Sequence, residues 1–471
     1  NQRTAYETRL IHVGSEMCII NRTDTNRTMK KNALLFVSMF IALSAQGQQK
    51  FTLSSAQEYA LDHAYGVQIA KLEIDRAKQI YRQNLASGLP QASAQGQYAY
   101  NIELASLVAD LDNDPSTLEK LTFGTDYQAQ GGLVVTQLIF DGSFVVGLMA
   151  AKVLKDDAAL GMEKSKSELR REVAKAYHLA LLSEESVKVL KANEGYLADL
   201  AQEMQKLNQA GMVSKADADQ MMLNYNNIKN ALRFSEGQAN VTKMLLKLQM
   251  GYAVDLDILL ADDLEDLVVK AAGSSAMADL AFDARKTVDY KSVANRVEGA
   301  KLEVKNEYMR YLPSVAVSYQ NNIQYQSQDA NIFSDNAIDI PSSLVGASIS
   351  IPLWSSGGGA ASLQQSKIRR DQALIGLTQL EQGLKMQHAS LVNEFHRSVA
   401  DYLSQKENVE LAQRIRDQRR KEYEQGMVSS MDLTQAEAQY QEGLQGLFLS
   451  AQTALDKQSE LEYLMTKQTL K

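Results

Sequence analysis

The chain has 471 residues, 45% hydrophobic and 23% charged, with a formal net charge of -8, one cysteine and five prolines. A single cysteine excludes an internal disulfide framework, and an acidic balance without a polybasic arm argues against a nucleic-acid binder. Five prolines are too few turn-formers for an all-β sandwich.

In chain order, residues 1–28 read as an upstream extension that is not part of the mature protein. Met29-Lys30-Lys31, an apolar run from Ala33 to Leu43, and Ser44, Ala45 and Gly47 make a secretory signal peptide over 29–47. The run is too short for a bilayer, which needs about 20 residues. Cys18 leaves with this segment, so the mature chain lacks cysteine, which suits an oxidising compartment. No later run approaches a membrane-spanning helix, so an exported chain of this type is either soluble or part of a β-barrel.

The rest is a two-fold repeat. Ala77-Lys78 before Leu89-Pro90 recurs as Ala300-Lys301 before Leu312-Pro313. The stretch Gln137–Ser143 recurs loosely as Ile351–Gly357. Gly211–Asp217 (GMVSKAD) recurs as Gly426–Asp432 (GMVSSMD). The first repeat spans 48–250: helix, strand pair within 91–139, long helix, turn, helix. A connector covers 251–287. The second repeat, 288–471, has the same order with its strand pair within 314–353.

Prolines Pro90, Pro115, Pro313, Pro341 and Pro352 fall only in the two strand segments; the tracts without them read as helices, because proline breaks helix interiors. Ser55-Ala-Gln-Glu58 reads as a capping box for the first helix. The first strand alternates from Ala92 to Leu104, the second from about Asp126 to Ile139, the third from Val315 to Gln326, and the fourth over about Leu344–Leu353. One face is apolar and tyrosine-bearing and the other rich in Gln and Ser, the pattern of a barrel with lipid outside and water inside. A soluble sheet with one wet face has the same alternation. Four strands cannot close a barrel, and an open sheet leaves two edges, so strands from several chains must combine.

The long helices are expected at 143–210 and 358–425. Leu190, Leu197, Leu200, Met204 and Leu207, and then Leu433, Ala436, Tyr440, Leu444, Leu447, Ala451 and Ala454, form seams for antiparallel partners. Gly211 and Gly426 end the long helices, and Ser214 and Ser429 cap the next ones. No nucleophile, paired-histidine or CxxC constellation is present, and Ser355-Ser-Gly-Gly-Gly359 lacks the Lys-Ser/Thr of a phosphate loop. The chain therefore reads as no enzyme and needs no cofactor or metal. Asp217 and Asp432 occupy matching places beyond the two turns. Each suits a helix N-terminus, and in a ring of subunits each would form a ring of negative charge that favours cations.

From about Phe51 to Thr466 the sequence resembles the TolC family of outer-membrane efflux proteins. The resemblance rests on the repeat, the two Leu-Pro steps, Ile139-Phe-Asp-Gly142 with Leu353-Trp354, and the Gly-Met-Val-Ser-x-x-Asp turns. It implies a mainly α fold with a small β part. Three chains would form a 12-stranded transmembrane β-barrel and an α-helical barrel reaching into the periplasm of a Gram-negative bacterium. The implied function is a passive exit duct for efflux or type I secretion, with a periplasmic adaptor and an inner-membrane transporter as partners. Asp432, Gln435 and Asp217 are the implied pore-entrance residues, with Gln435 standing where some members carry a second carboxylate. Gly211, Met212, Val213, Ser214, Gly426, Met427, Val428 and Ser429 are the implied adaptor-contacting tip residues. The alternative class is a soluble periplasmic coiled-coil scaffold.

Overall fold

The computed structural model describes residues 49–109, 119–273 and 281–466. Residues 1–28, the signal segment 29–47 and Cys18 lie outside the described residues. In chain order the elements are β1 (Gln49–Phe51), α1 (Leu53–His63), α2 (Tyr65–Ala86), β2 (Gln91–Tyr100), β3 (Ala105–Ala109), β4 (Glu119–Phe123), β5 (Tyr127–Phe140), α3 (Gly142–Gln209), α4 (Lys215–Met250), β6 (Ile258–Leu260), α5 (Leu264–Gly273), α6 (Val288–Met309), β7 (Ser314–Ser327), β8 (Ile338–Ser350), α7 (Gly358–Glu424) and α8 (Ser430–Thr466). The chain divides into a small unit, described at residues 49–50 and Leu256–Leu259, and a large unit of Phe51–Asp255 with Leu260–Lys471.

The large unit holds an antiparallel sheet in the order β2-β5-β7-β8. Its register aligns the alternation across all four strands. Tyr100 pairs with Tyr127, Val135 with Tyr319, and Tyr319 with Val345, all on one face. Gln97 pairs with Gln130 and Gln130 with Gln324 on the other. A one-residue slip would invert this pattern. Gly132 faces Asn322 across the sheet; a side chain at Gly132 would overlap the Asn322 carboxamide, so glycine makes room for it. Among the described residues, β2 and β8 each keep one unpaired edge.

Two strands differ from the alternation reading. The first ends at Tyr100: Asn101 N still bonds Asp126 O in register at 2.8 Å and its Nδ2 bonds Thr125 O at 2.9 Å, and the chain then bends away at 102–103. Leu104 leads instead into a separate hairpin of β3 and β4. The fourth strand begins at Ile338, ahead of its expected start, and runs through Pro341. Pro341 pairs with Ile323 of β7 near the start of β8, the first part of a strand being one of the places a sheet admits proline.

The long helices are α3, of 68 residues, and α7, of 67, each about 100 Å long at 1.5 Å per residue. α3 packs along α4, and α7 along α8, with α3 also against α8. The seams are apolar as their spacing requires: Leu197, Leu200 and Met204 are buried on α3, and Leu433, Ala436, Leu444, Ala451 and Ala454 on α8. At the strand end, α2 packs on α3, α3 on α6 and α6 on α7. That helix order matches the order of the strands to which each is joined. The first capping box is Thr52 with Ser55, Thr52 N to Ser55 Oγ at 2.8 Å and Ser55 N to Thr52 Oγ1 at 3.2 Å. It lies three residues before the expected one, because the chain is already extended at Thr52 and helical from Leu53. Among the described residues no helix is long and apolar enough to cross a membrane.

Candidate functional site at the paired helix tips

The repeated turns fold alike. After α3, Gly211 takes φ 73°, and after α7, Gly426 takes φ 74°. Both are left-handed conformations that favour glycine. Met212 N then bonds Leu207 O at 2.8 Å, and Met427 N bonds Glu422 O at 2.8 Å. Paired with Gly211 N to Asn208 O and Gly426 N to Tyr423 O, both 2.9 Å, these are Schellman closures of the last helical turn. The next helices start on serine caps: Asp217 N to Ser214 Oγ at 3.1 Å, and Asp432 N to Ser429 Oγ at 3.2 Å.

Both aspartates take part in these caps. Ser429 donates to Asp432 Oδ2 from its hydroxyl at 2.8 Å and its backbone N at 3.0 Å. Those bonds hold the Asp432 carboxyl below its usual range, the side-chain bond foremost. Ser214 Oγ lies 2.6 Å from Asp217 Oδ2 and Ser430 Oγ lies 2.5 Å from Asp217 Oδ1. These two hydroxyls hold Asp217 low as well, Ser214 first. Ser430 belongs to the other tip, so the two turns are joined. Between them lies a cleft of about 390 Å³ lined in part by Val213, Asp217, Tyr423, Gly426, Val428 and Ser429. A second link is Asn224 Nδ2 to Thr434 Oγ1 at 2.7 Å.

The remaining sequence-marked residues form the outer rim. Gly211, Met212, Ser214, Gly426, Met427, Ser429, Asp432 and Gln435 are exposed, and Val213 and Val428 are half-buried. Met212 and Met427 stand 73% and 63% exposed, apolar side chains presented to solvent at the end of each turn.

Sequence reading passed over the polar knot behind the tips. Arg420 on α7 bridges to Glu437 on α8 at 3.1 Å, and its guanidinium lies 3.3 Å from the ring centroid of Tyr196 on α3. Burial pushes the Tyr196 hydroxyl up to about 12. Tyr196 Oη, Arg420 Nε and Glu437 Oε2 are buried without a partner. One turn earlier on α7, Arg416 stacks at 4.0 Å on Tyr440. Two arginines four apart, each over a tyrosine, is the signal that would have exposed this layer. Two histidines stack on aromatic rings, His63 on Tyr59 at 4.0 Å and His388 on Phe282 at 4.5 Å. Burial pushes His178 down to about 4, so it stays neutral.

Comparison with known proteins follows this geometry. Residues 288–465 match the family described as outer membrane efflux protein. No match was found among curated protein sequences. The outer membrane protein VceC of Vibrio cholerae superposes with a TM-score of 0.63 at 15% identity, over 88% of this chain and 95% of that one. The CmeC outer membrane channel of Campylobacter jejuni gives 0.64 at 12%, over 89% and 87%. The MtrE outer membrane channel of Neisseria gonorrhoeae, solved in its open state, gives 0.61 at 13%, over 88% of each. Residues 288–465 thus resemble the outer membrane efflux protein family, and the described residues carry the fold of these outer-membrane channels.

Proposed function

We propose that three copies close into a 12-stranded barrel in the outer membrane, continued by a helical conduit, and that this conduit is the exit duct of a tripartite efflux or secretion system. The observation that carries the assembly is the shared edge order. The sheet ends in the unpaired edges of β2 and β8, and the helix layer ends in α2 and α7 on the same two sides. Both sides keep apolar residues in the open: Tyr65, Ile69 and Leu72 on α2, and Ile368 and Ile375 on α7. Farther toward the tips, α4 exposes Phe234, Val241, Leu245 and Leu248, and α7 exposes Leu403, Leu411 and Ile415. A lone chain would leave these stripes and strand edges in water, whereas head-to-tail contact between copies covers all of them.

In this assembly the tips form the periplasmic entrance. Asp432 and Asp217 supply rings of carboxylates, their pKa values lowered by their serine partners, which favour cations at the mouth. Gln435, exposed one turn beyond Asp432, contributes a neutral ring. The Gly-Met-Val-Ser turns, with Met212 and Met427 exposed, offer an apolar rim to the hairpin of a periplasmic adaptor, and an inner-membrane transporter supplies the energy. The test is membrane extraction together with oligomeric state. Resistance to carbonate and a trimer in detergent are expected; full release by carbonate as a monomer would instead make the chain a soluble coiled-coil scaffold.

A further inference from the structure

At the corner where β8 runs into α7, Leu353 and Trp354 are 88% and 87% exposed. The chain turns there through Ser356 at φ 49° and Gly357 at φ 85°. On the neighbouring side, α6 ends in Arg310 and Tyr311 before β7. These residues share a cleft of about 330 Å³ with Glu307, Ser355 and Gly359. A Cβ at Gly359 would lie 2.8 Å from Tyr311 Oη, so glycine there leaves the tyrosine hydroxyl its place in the cleft.

Three features define what the cleft takes. Arg310 bonds Glu307 only through Nη1, at 3.2 and 3.3 Å, so Nη2 and Nε stay available for a phosphate. The pair is neutral as a whole, with Arg310 62% and Glu307 17% exposed. It therefore favours a ligand that carries both charges over a simple anion. Trp354 adds an open aromatic face, to which an ammonium is drawn. The cleft also lies at the end of the apolar sheet face, where Val315 pairs with Ile349 and the exposed Ile351 and Leu353 follow in step. An acyl chain lying along that face brings its headgroup to the cleft, and aromatic residues are enriched at this depth of a membrane.

We propose that this corner binds a zwitterionic aminophospholipid of the inner leaflet, its phosphate on Arg310 and its primary ammonium on Glu307 and the Trp354 ring. The site rests on the membrane placement given above. It anchors the barrel at a fixed depth, directly above the start of the conduit helices.

The test is lipid retention by the purified oligomer in detergent, counted by native mass spectrometry. The protein is offered equimolar phosphatidylethanolamine, phosphatidylglycerol and phosphatidylcholine. Wild type retains phosphatidylethanolamine over phosphatidylcholine by about fivefold. Glu307→Gln shifts the preference to phosphatidylglycerol, and Arg310→Gln reduces retention of all three. Trp354→Ala, at a side chain 87% exposed in the single chain, reduces retention of phosphatidylethanolamine and phosphatidylcholine alike, because its ring draws either ammonium. Equal retention of the three lipids by wild type, an unchanged preference in Glu307→Gln, or unchanged retention of both ammonium lipids in Trp354→Ala overturns the proposal. Displacement by millimolar free phosphoethanolamine overturns it too, by giving the cleft to a soluble ligand. Carbonate extraction of the membranes from which the protein is purified separates the two readings: membrane-embedded protein without lipid preference defeats this site alone.

Discussion

Ser430 at the second tip donates to Asp217 at the first, Oγ to Oδ1 at 2.5 Å, across 213 residues of sequence. Asp217 meanwhile keeps its own capping serine, Ser214. One carboxylate therefore finishes a helix and ties the two hairpins together. Ser430→Ala cuts the tie and spares the cap. Because the carboxylate is largely solvated, the open population in planar bilayers is expected to rise only about threefold. Ser429→Ala, confined to its own tip, should leave conductance unchanged. Equal increases in both variants would mean that the tie has no separate role.

The charge ring is tested by exchanging charge at two exposed positions. Asp432→Asn should weaken block by a trivalent cation, and Gln435→Glu should strengthen it by about tenfold, as a second ring of carboxylates adds to the first. Identical block in all three proteins would remove these residues from the pore mouth.

Acid should act on the tips and on the α3–α8 contact in opposite directions. Asp217 and Asp432 have lowered pKa values. Their contribution is present above the unfolded-state value near 4 and is lost as pH falls through the lower folded values. Asp456 on α8 behaves differently. Burial raises it to about 6, with Lys175 and Lys457 opposing and Glu460 and Glu172 adding. Its ionised form disfavours the fold above about pH 6, and that penalty is relieved as pH falls through this value. The melting temperature of wild type should therefore rise from pH 7.5 to pH 5 relative to Asp456→Asn. Parallel curves for the two proteins would contradict the assignment.

Glycine substitutions should separate backbone strain from steric overlap. Gly211 and Gly426 have positive φ and open space around the missing Cβ. Alanine at either should cost about 1 kcal/mol, nearly equal at the two tips. Gly251 also has φ 70°, but its Cβ would collide with the backbone carbonyl of His63. Gly251→Ala should therefore cost clearly more in thermal or chemical unfolding than either tip variant.

The legible parts of the fold were those set by local spacing. Gly211 and Gly426 mark the helix ends because only a left-handed residue closes those turns, and α3 and α7 end within two residues of them. The sheet was harder. Alternation continues through Ile102 and Leu104 although the strand stops at Tyr100, because the chain bends at 102–103 once Asn101 has closed on Thr125 and Asp126, which sequence does not display. Pro341 hid the start of β8, since a proline within a run reads as a break in the strand. At the tips, the caps of Ser214 and Ser429 were readable over three residues. The Ser430–Asp217 tie and the Arg420–Tyr196 stack depend on which helices meet, and only packing sets that.

The two open sides also bear on inheritance. In the proposed ring each copy offers a β2 side to one neighbour and a β8 side to another, so a single defective edge leaves a gap in any ring that contains it. With equal amounts of normal and edge-defective chain mixing at random, only about one trimer in eight would be free of defects. Lesions at these edges should thus be dominant in a cell carrying both alleles, whereas lesions at sites confined within one chain should be masked by the normal copy.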